Sequence, residues 1–148
     1  MQPSVKLQDA ALLAVRLITA AIFLYAGYAK WGMWSAAPES MGMSAGMWNF
    51  MKFLSIVEPI GAVALIAGFL TRSAAAGLAV IMLGAISLMQ FTMGIGFATP
   101  TGAGWNFPLA VLAGCIALMA FGAGSWSVDA MWKGGEYRAE FEAIRAKK

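Results

Sequence analysis

A chain of 148 residues that is 61% hydrophobic and 11% charged, with a mean hydropathy of +0.74, has too little polar surface for a water-soluble domain of its size. Its net charge of +3 is not a nucleic-acid footprint, because Arg138, Arg145, Lys147 and Lys148 gather in a short tail and not on a folded face. The single cysteine, Cys115, excludes an intrachain disulfide, and the absence of histidine excludes a histidine-ligated haem, zinc or iron site within the chain.

The first apolar stretch covers residues 10–29, enough to cross a bilayer at about 20 residues per span. Lys6 ahead of it resembles the start of a secretory leader, but Arg16 interrupts the run and the run is too long, so it is expected to remain as the first helix. Residues 31–47 form a polar connection with Pro38 and Glu39, rimmed by Trp31, Trp34 and Trp48 in the manner of an interfacial aromatic belt. The second stretch, 48–70, carries Glu58-Pro59 near its middle. Thr71-Arg72-Ser73 then leaves room only for a tight antiparallel hairpin before the third stretch, 73–93, which holds Gln90 near its end.

Thr99-Pro100-Thr101-Gly102 marks a turn. The fourth stretch, 106–122, opens with Trp105 and with Asn106 in a capping position before Phe107-Pro108. Cys115 reads as a small packing residue within it. Ser127 is placed to cap a short helical segment through Trp132, which Gly134-Gly135 would end. Tyr137, Phe141 and Ile144 recur at i, i+4 and i+7 among charges, the pattern of an amphipathic helix lying on a membrane surface.

The elements predict an all-α integral membrane four-helix bundle over residues 1–124, followed by an amphipathic cytoplasmic tail over 125–148. Four spans put Lys6, Arg72, Lys133, Arg138, Arg145, Lys147 and Lys148 on one side, and only Lys30 and Lys52 on the other. The positive-inside rule then predicts both termini in the cytoplasm and residues 31–47 outside.

On a helical grid, Arg16, Thr19, Phe23, Gly27 and Lys30 share one face of the first span, and Glu58, Gly61, Leu65, Gly68 and Arg72 share one face of the second. Charged and small residues on common faces belong inside a bundle. An ion pair between Arg16 and Glu58 is expected, with Lys30 as the other basic partner within reach. Two roles remain open for it: a register-fixing pair, or a carboxylate that binds a proton or ligand, helped by a backbone carbonyl that Pro59 leaves free. Lys30, Trp31, Gln90, Trp105 and Asn106 are expected to converge just above Glu58, as a cup for a quinone or similar flat amphipathic molecule or as an ordinary interface belt. Met41, Met43 and Met47 suggest Cu(I), whereas methionine also fills apolar gaps, and no histidine or second cysteine completes a copper site. No metal site is assigned.

Arg16 followed by Phe23-Leu24-Tyr25-Ala26-Gly27-Tyr28-Ala29-Lys30 resembles the opening signature of the DoxX family. Glu58-Pro59-Ile60-Gly61 leading into Gly68-Phe69-Leu70-Thr71-Arg72 resembles its second helix, and Gly122-Ala123-Gly124-Ser125-Trp126-Ser127-Val128-Asp129 its usual close. The resemblance implies a multi-pass protein of a bacterial or archaeal inner membrane. Some relatives are subunits of a thiosulfate:quinone oxidoreductase, and others are linked to membrane oxidoreductase complexes in oxidative stress. The expectation is therefore a redox-associated subunit or accessory protein, surrounded by lipid and by a larger complex or further copies of itself. It would hold a quinone, with no covalent cofactor and no nucleic acid. A small proton-coupled transporter built on Glu58 and a purely structural subunit are the alternatives.

Overall fold

The computed structural model describes residues 5–38, 42–100 and 102–132. Four helices make up most of it: α1 (Val5–Ala29), α2 (Ala45–Ala67), α3 (Thr71–Ser87) and α4 (Asn106–Phe121). The stretches Lys6–Trp34, Ala45–Ala67 and Thr71–Thr92 are long and apolar enough to cross a membrane, and Asn106–Phe121 is apolar but shorter. At 1.5 Å per residue α4 is about 24 Å long, below the hydrocarbon thickness of about 30 Å. The expected amphipathic helix with Tyr137, Phe141 and Ile144 lies outside the described residues, as do Glu39, Met41 and the tail cations.

Local chemistry explains the helix ends. Ser44 caps α2, its hydroxyl accepting from Met47 N at 3.3 Å. Gly68, with φ of 67°, ends α2 in a Schellman arrangement in which Phe69 N donates to Ala64 O and Gly68 N to Leu65 O. Leu70 follows at φ 47°, a left-handed conformation that disfavours a side chain. The Asp129 carboxylate holds it there, accepting from Leu70 N at 2.7 Å and Thr71 N at 2.9 Å, and so caps α3 from another part of the chain. Ser127 accepts from Ala130 N at 3.2 Å and opens the short helical segment 128–132, as its position predicted.

Beyond α3 the chain winds into a single π turn, Leu88–Thr92, and a two-stranded hairpin, β1 (Ala98–Thr99) against β2 (Gly102–Ala103). The plain turn read around Pro100 is thus the tip of a small antiparallel ribbon. Asn106 is not the cap of α4 that the sequence suggested. It is the first helical residue, its N–H donates to Phe97 O, and its buried Oδ1 has no hydrogen-bond partner among the described residues.

The core is built from Ala20 and Phe23 of α1, Ala62 and Leu65 of α2, Leu78 of α3, and Cys115 and Leu118 of α4. Large apolar side chains also cover the outside, with Ile18, Ile60, Val80 and Ile116 all more than half exposed. Such a surface suits lipid and not water. α1 packs closely on α2, and α3 on α4, whereas α2 and α3 touch far less. The α1–α2 approach depends on Gly27, where a Cβ would collide with the Pro59 ring.

Candidate functional site

The sparing contact between α2 and α3 leaves a groove of about 1070 Å³ along their joint face. Its walls are almost entirely apolar: Phe50, Phe53 and Leu54 towards the α1–α2 loop end, and Ala64, Ala74 and Gly77 towards the α2–α3 turn. Lys30 and Glu58 also line it. Glu58 is 3% exposed, and its Oε2 accepts from Lys30 Nζ at 2.6 Å. The same ammonium donates to Ala26 O at 2.9 Å, which ties it back to the last turn of α1. A cation close to the end of α1 thus meets a carboxylate in mid-α2, inside an apolar cleft where both charges are strongly felt.

Pro59 creates a further connection. It has no N–H to give to Ser55 O, the acceptor one turn earlier. Trp31 Nε1 donates to that carbonyl at 3.2 Å, while Trp34 Nε1 donates to Ser55 Oγ at 3.0 Å. Ser55 Oγ itself donates to Lys52 O at 2.7 Å. The carbonyl released by proline is therefore claimed by an indole of the 3₁₀ turn Trp31–Trp34, which directly follows Lys30. The two tryptophans and Pro59 border a separate open depression of about 500 Å³.

The expected pair between Arg16 and Glu58 is not formed. Arg16, 1% exposed, points to the turn end of the bundle and binds four carbonyls. Nε donates to Leu65 O at 2.8 Å, Nη2 to Ile66 O at 2.8 Å, and Nη1 to Ala123 O at 2.9 Å and Trp126 O at 2.8 Å. The first two acceptors belong to the last turn of α2, whose C-terminal carbonyls carry partial negative charge, and Leu65 O is shared with Gly68 N. Leu65 lies seven residues beyond Glu58, about 10 Å along the helix, so one guanidinium cannot serve both places. Next to this clamp, Ser125 N donates to Asp9 Oδ1 at 2.9 Å, and Asp129 N donates to Gly68 O at 2.9 Å. The boundary drawn at residue 124 runs through these contacts.

The expected cup is only partly assembled. Lys30 and Glu58 meet, but Trp31 faces the other depression with its N–H engaged. Gln90 is exposed in the π turn. Trp105 packs edge-on against Phe97 of the hairpin, with ring centroids 4.7 Å apart. None of Trp31, Gln90, Trp105 and Asn106 lines the groove. The residues that do, and that residue chemistry alone did not single out, are Phe50, Phe53, Ala64, Ala74, Gly77 and Gly84. The signal for the last three was the glycine and alanine content of α3 (TRSAAAGLAVIMLGAIS), while Phe50, Phe53 and Ala64 of α2 gave none.

Comparisons with curated proteins and with solved structures return no match. The family model DoxX matches residues 11–91, more than half of the chain. The matched span contains Arg16 with its α2 acceptors, Gly27 with Pro59, and Lys30 with Glu58, and on that match this membrane protein belongs to the DoxX family.

Proposed function

We propose that this protein is a multi-pass inner-membrane subunit or accessory protein of an oxidoreductase complex. Both termini lie in the cytoplasm, and the α2–α3 groove holds a quinone-like molecule for a partner. The observation that carries this reading is the Lys30–Glu58 pair set into an otherwise apolar groove of about 1070 Å³. An ammonium has three N–H donors. Two are engaged by Glu58 and Ala26, which leaves one for a ring carbonyl. Glu58 fixes the direction of the ammonium, and Phe50, Phe53 and Leu54 supply walls for a flat ring. With no histidine and a single buried cysteine, the chain offers no thiol pair or histidine-held haem of its own. Electrons for the ligand are therefore assigned to the partner.

The test is equilibrium binding of a fluorescent quinone analogue to the protein in lipid nanodiscs, alone and with co-purified partners. Saturable binding by wild type is expected. Lys30→Met should weaken it by about tenfold or more, the worth of a charge-assisted hydrogen bond. Absence of saturable binding by wild type in both preparations would reject the reading in favour of a structural subunit.

A further inference from the structure

Gly77 and Gly84 are exposed residues of α3 that line the groove, and a Cβ at either would meet nothing within 4 Å. Glycine inside a helix is unfavourable by about 1 kcal/mol relative to alanine, yet packing among the described residues does not require these two. Gly61 differs: a Cβ there would press on Leu78 at 2.9 Å, so it is needed for the α2–α3 contact itself. That contact also sets the level of each residue. In the antiparallel pair, Glu58 is three residues before Gly61 and stands level with about Ile81, three residues after Leu78. By helical rise, Gly77 then lies roughly 6 Å from the carboxylate level towards the turn, and Gly84 roughly 4.5 Å from it towards the loop end.

The two halves of the groove therefore differ. Around Gly84 the opposite wall is bulky, with Phe50, Met51, Phe53 and Leu54. Around Gly77 the α2 wall is smaller, with Gly61 and Ala64 beside Ile60. Ser73 and Ala74 of α3 itself continue the small surface, and the groove opens past Phe69 and Leu70 at the turn. We infer that the site takes an amphipathic ligand with a long unbranched or prenyl tail. The carbonyl-bearing head sits at Lys30 on the Gly84 side, and the tail runs along the Gly77 side towards the turn. This inference rests on the functional reading above and adds the ligand's shape and direction to it. Bilayer tails are as apolar as the groove, so a longer tail gains little from hydrophobicity alone. Selection comes from fit against a surface that the glycines keep flat.

The test measures a head-only quinone and a long-tailed quinone in nanodiscs at equal mole fraction in the lipid. The proteins are wild type, Gly77→Leu, Gly84→Leu and Ala113→Leu, the last adding the same bulk to an exposed site on α4 outside the groove. Gly77→Ala serves as a milder probe at the first position. Gly77→Leu should weaken the long-tailed ligand by about tenfold, the cost of overfilling a packed site, and leave the head-only ligand within about twofold. Gly77→Ala should give a smaller change of the same kind. Gly84→Leu should weaken both ligands, and Ala113→Leu neither. If wild type binds both ligands and Gly77→Leu leaves the long-tailed one unchanged, or weakens both equally, the tail assignment is overturned while the functional reading stands. If wild type binds neither, the functional reading itself fails and takes the inference with it.

Discussion

At the residue scale, two basic side chains in and just after α1 have opposite duties. Lys30 faces a carboxylate, so removing one partner leaves a buried charge uncompensated. Glu58→Ala should lower stability in detergent by about 3–5 kcal/mol, read as thermal unfolding. Lys30→Met combined with Glu58→Ala should recover a large part of that loss, because no lone charge remains. Equal melting of Glu58→Ala and wild type would show that the pair is not buried in the folded protein. Arg16 donates to four carbonyls, with the Asp129 carboxylate as a nearby opposite charge, and its planar fork is suited to reaching several at once. Arg16→Ala should cost at least about 3 kcal/mol through carbonyls left without a donor, and Arg16→Lys should restore only part of it. Helical spacing put Arg16 and Lys30 on one face correctly, and Thr19, Phe23 and Gly27 between them are indeed buried. Spacing along one helix does not say towards which end a long side chain extends. The acceptors of Arg16 are backbone groups of residues whose side chains, Leu65, Ile66 and Ala123 among them, carry no polar signal at all.

At the element scale, the four helices were legible because each is an apolar run, and Ser127 marked the segment it caps, whereas the Ser44 and Gly68 ends of α2 and the shorter length of α4 were not read from the sequence. The groove was not legible, since it arises from how far α2 and α3 stand apart, a property of pairs of faces. Pro59 shows the same limit. The sequence says that a carbonyl is released, and only the fold shows that Trp31 takes it. This gives a coupled prediction. Trp31→Phe should lower stability by about 1 kcal/mol, the worth of one hydrogen bond to a half-buried acceptor. In a Pro59→Ala background the backbone N–H restored at that position can bond to Ser55 O, so the same Trp31→Phe change should cost almost nothing. Thermal unfolding of the four proteins supplies the cycle, and strictly additive effects would show that the indole and the missing N–H are unconnected.

At the scale of the whole molecule, the proposed orientation rests on cation counting, and a cysteine placed at Ser44 tests it. In a Cys115→Ser background, Ser44→Cys should react with a membrane-impermeant maleimide added to intact cells. Labelling only after permeabilisation would invert the topology. The Arg16 clamp carries one more implication, about time. Arg16 precedes its acceptors Ala123 and Trp126 by 107 and 110 residues, so it enters the membrane long before they are synthesised. Until α4 is in place, a guanidinium sits in lipid with only the α2 carbonyls as partners. Residues 123 and 126 thus close the latch that the first helix opened. A nascent chain stalled or cleaved before residue 123 lacks two of the four carbonyls that Arg16 binds. Arg16 therefore has its full set of acceptors only once the segment after α4 has been made.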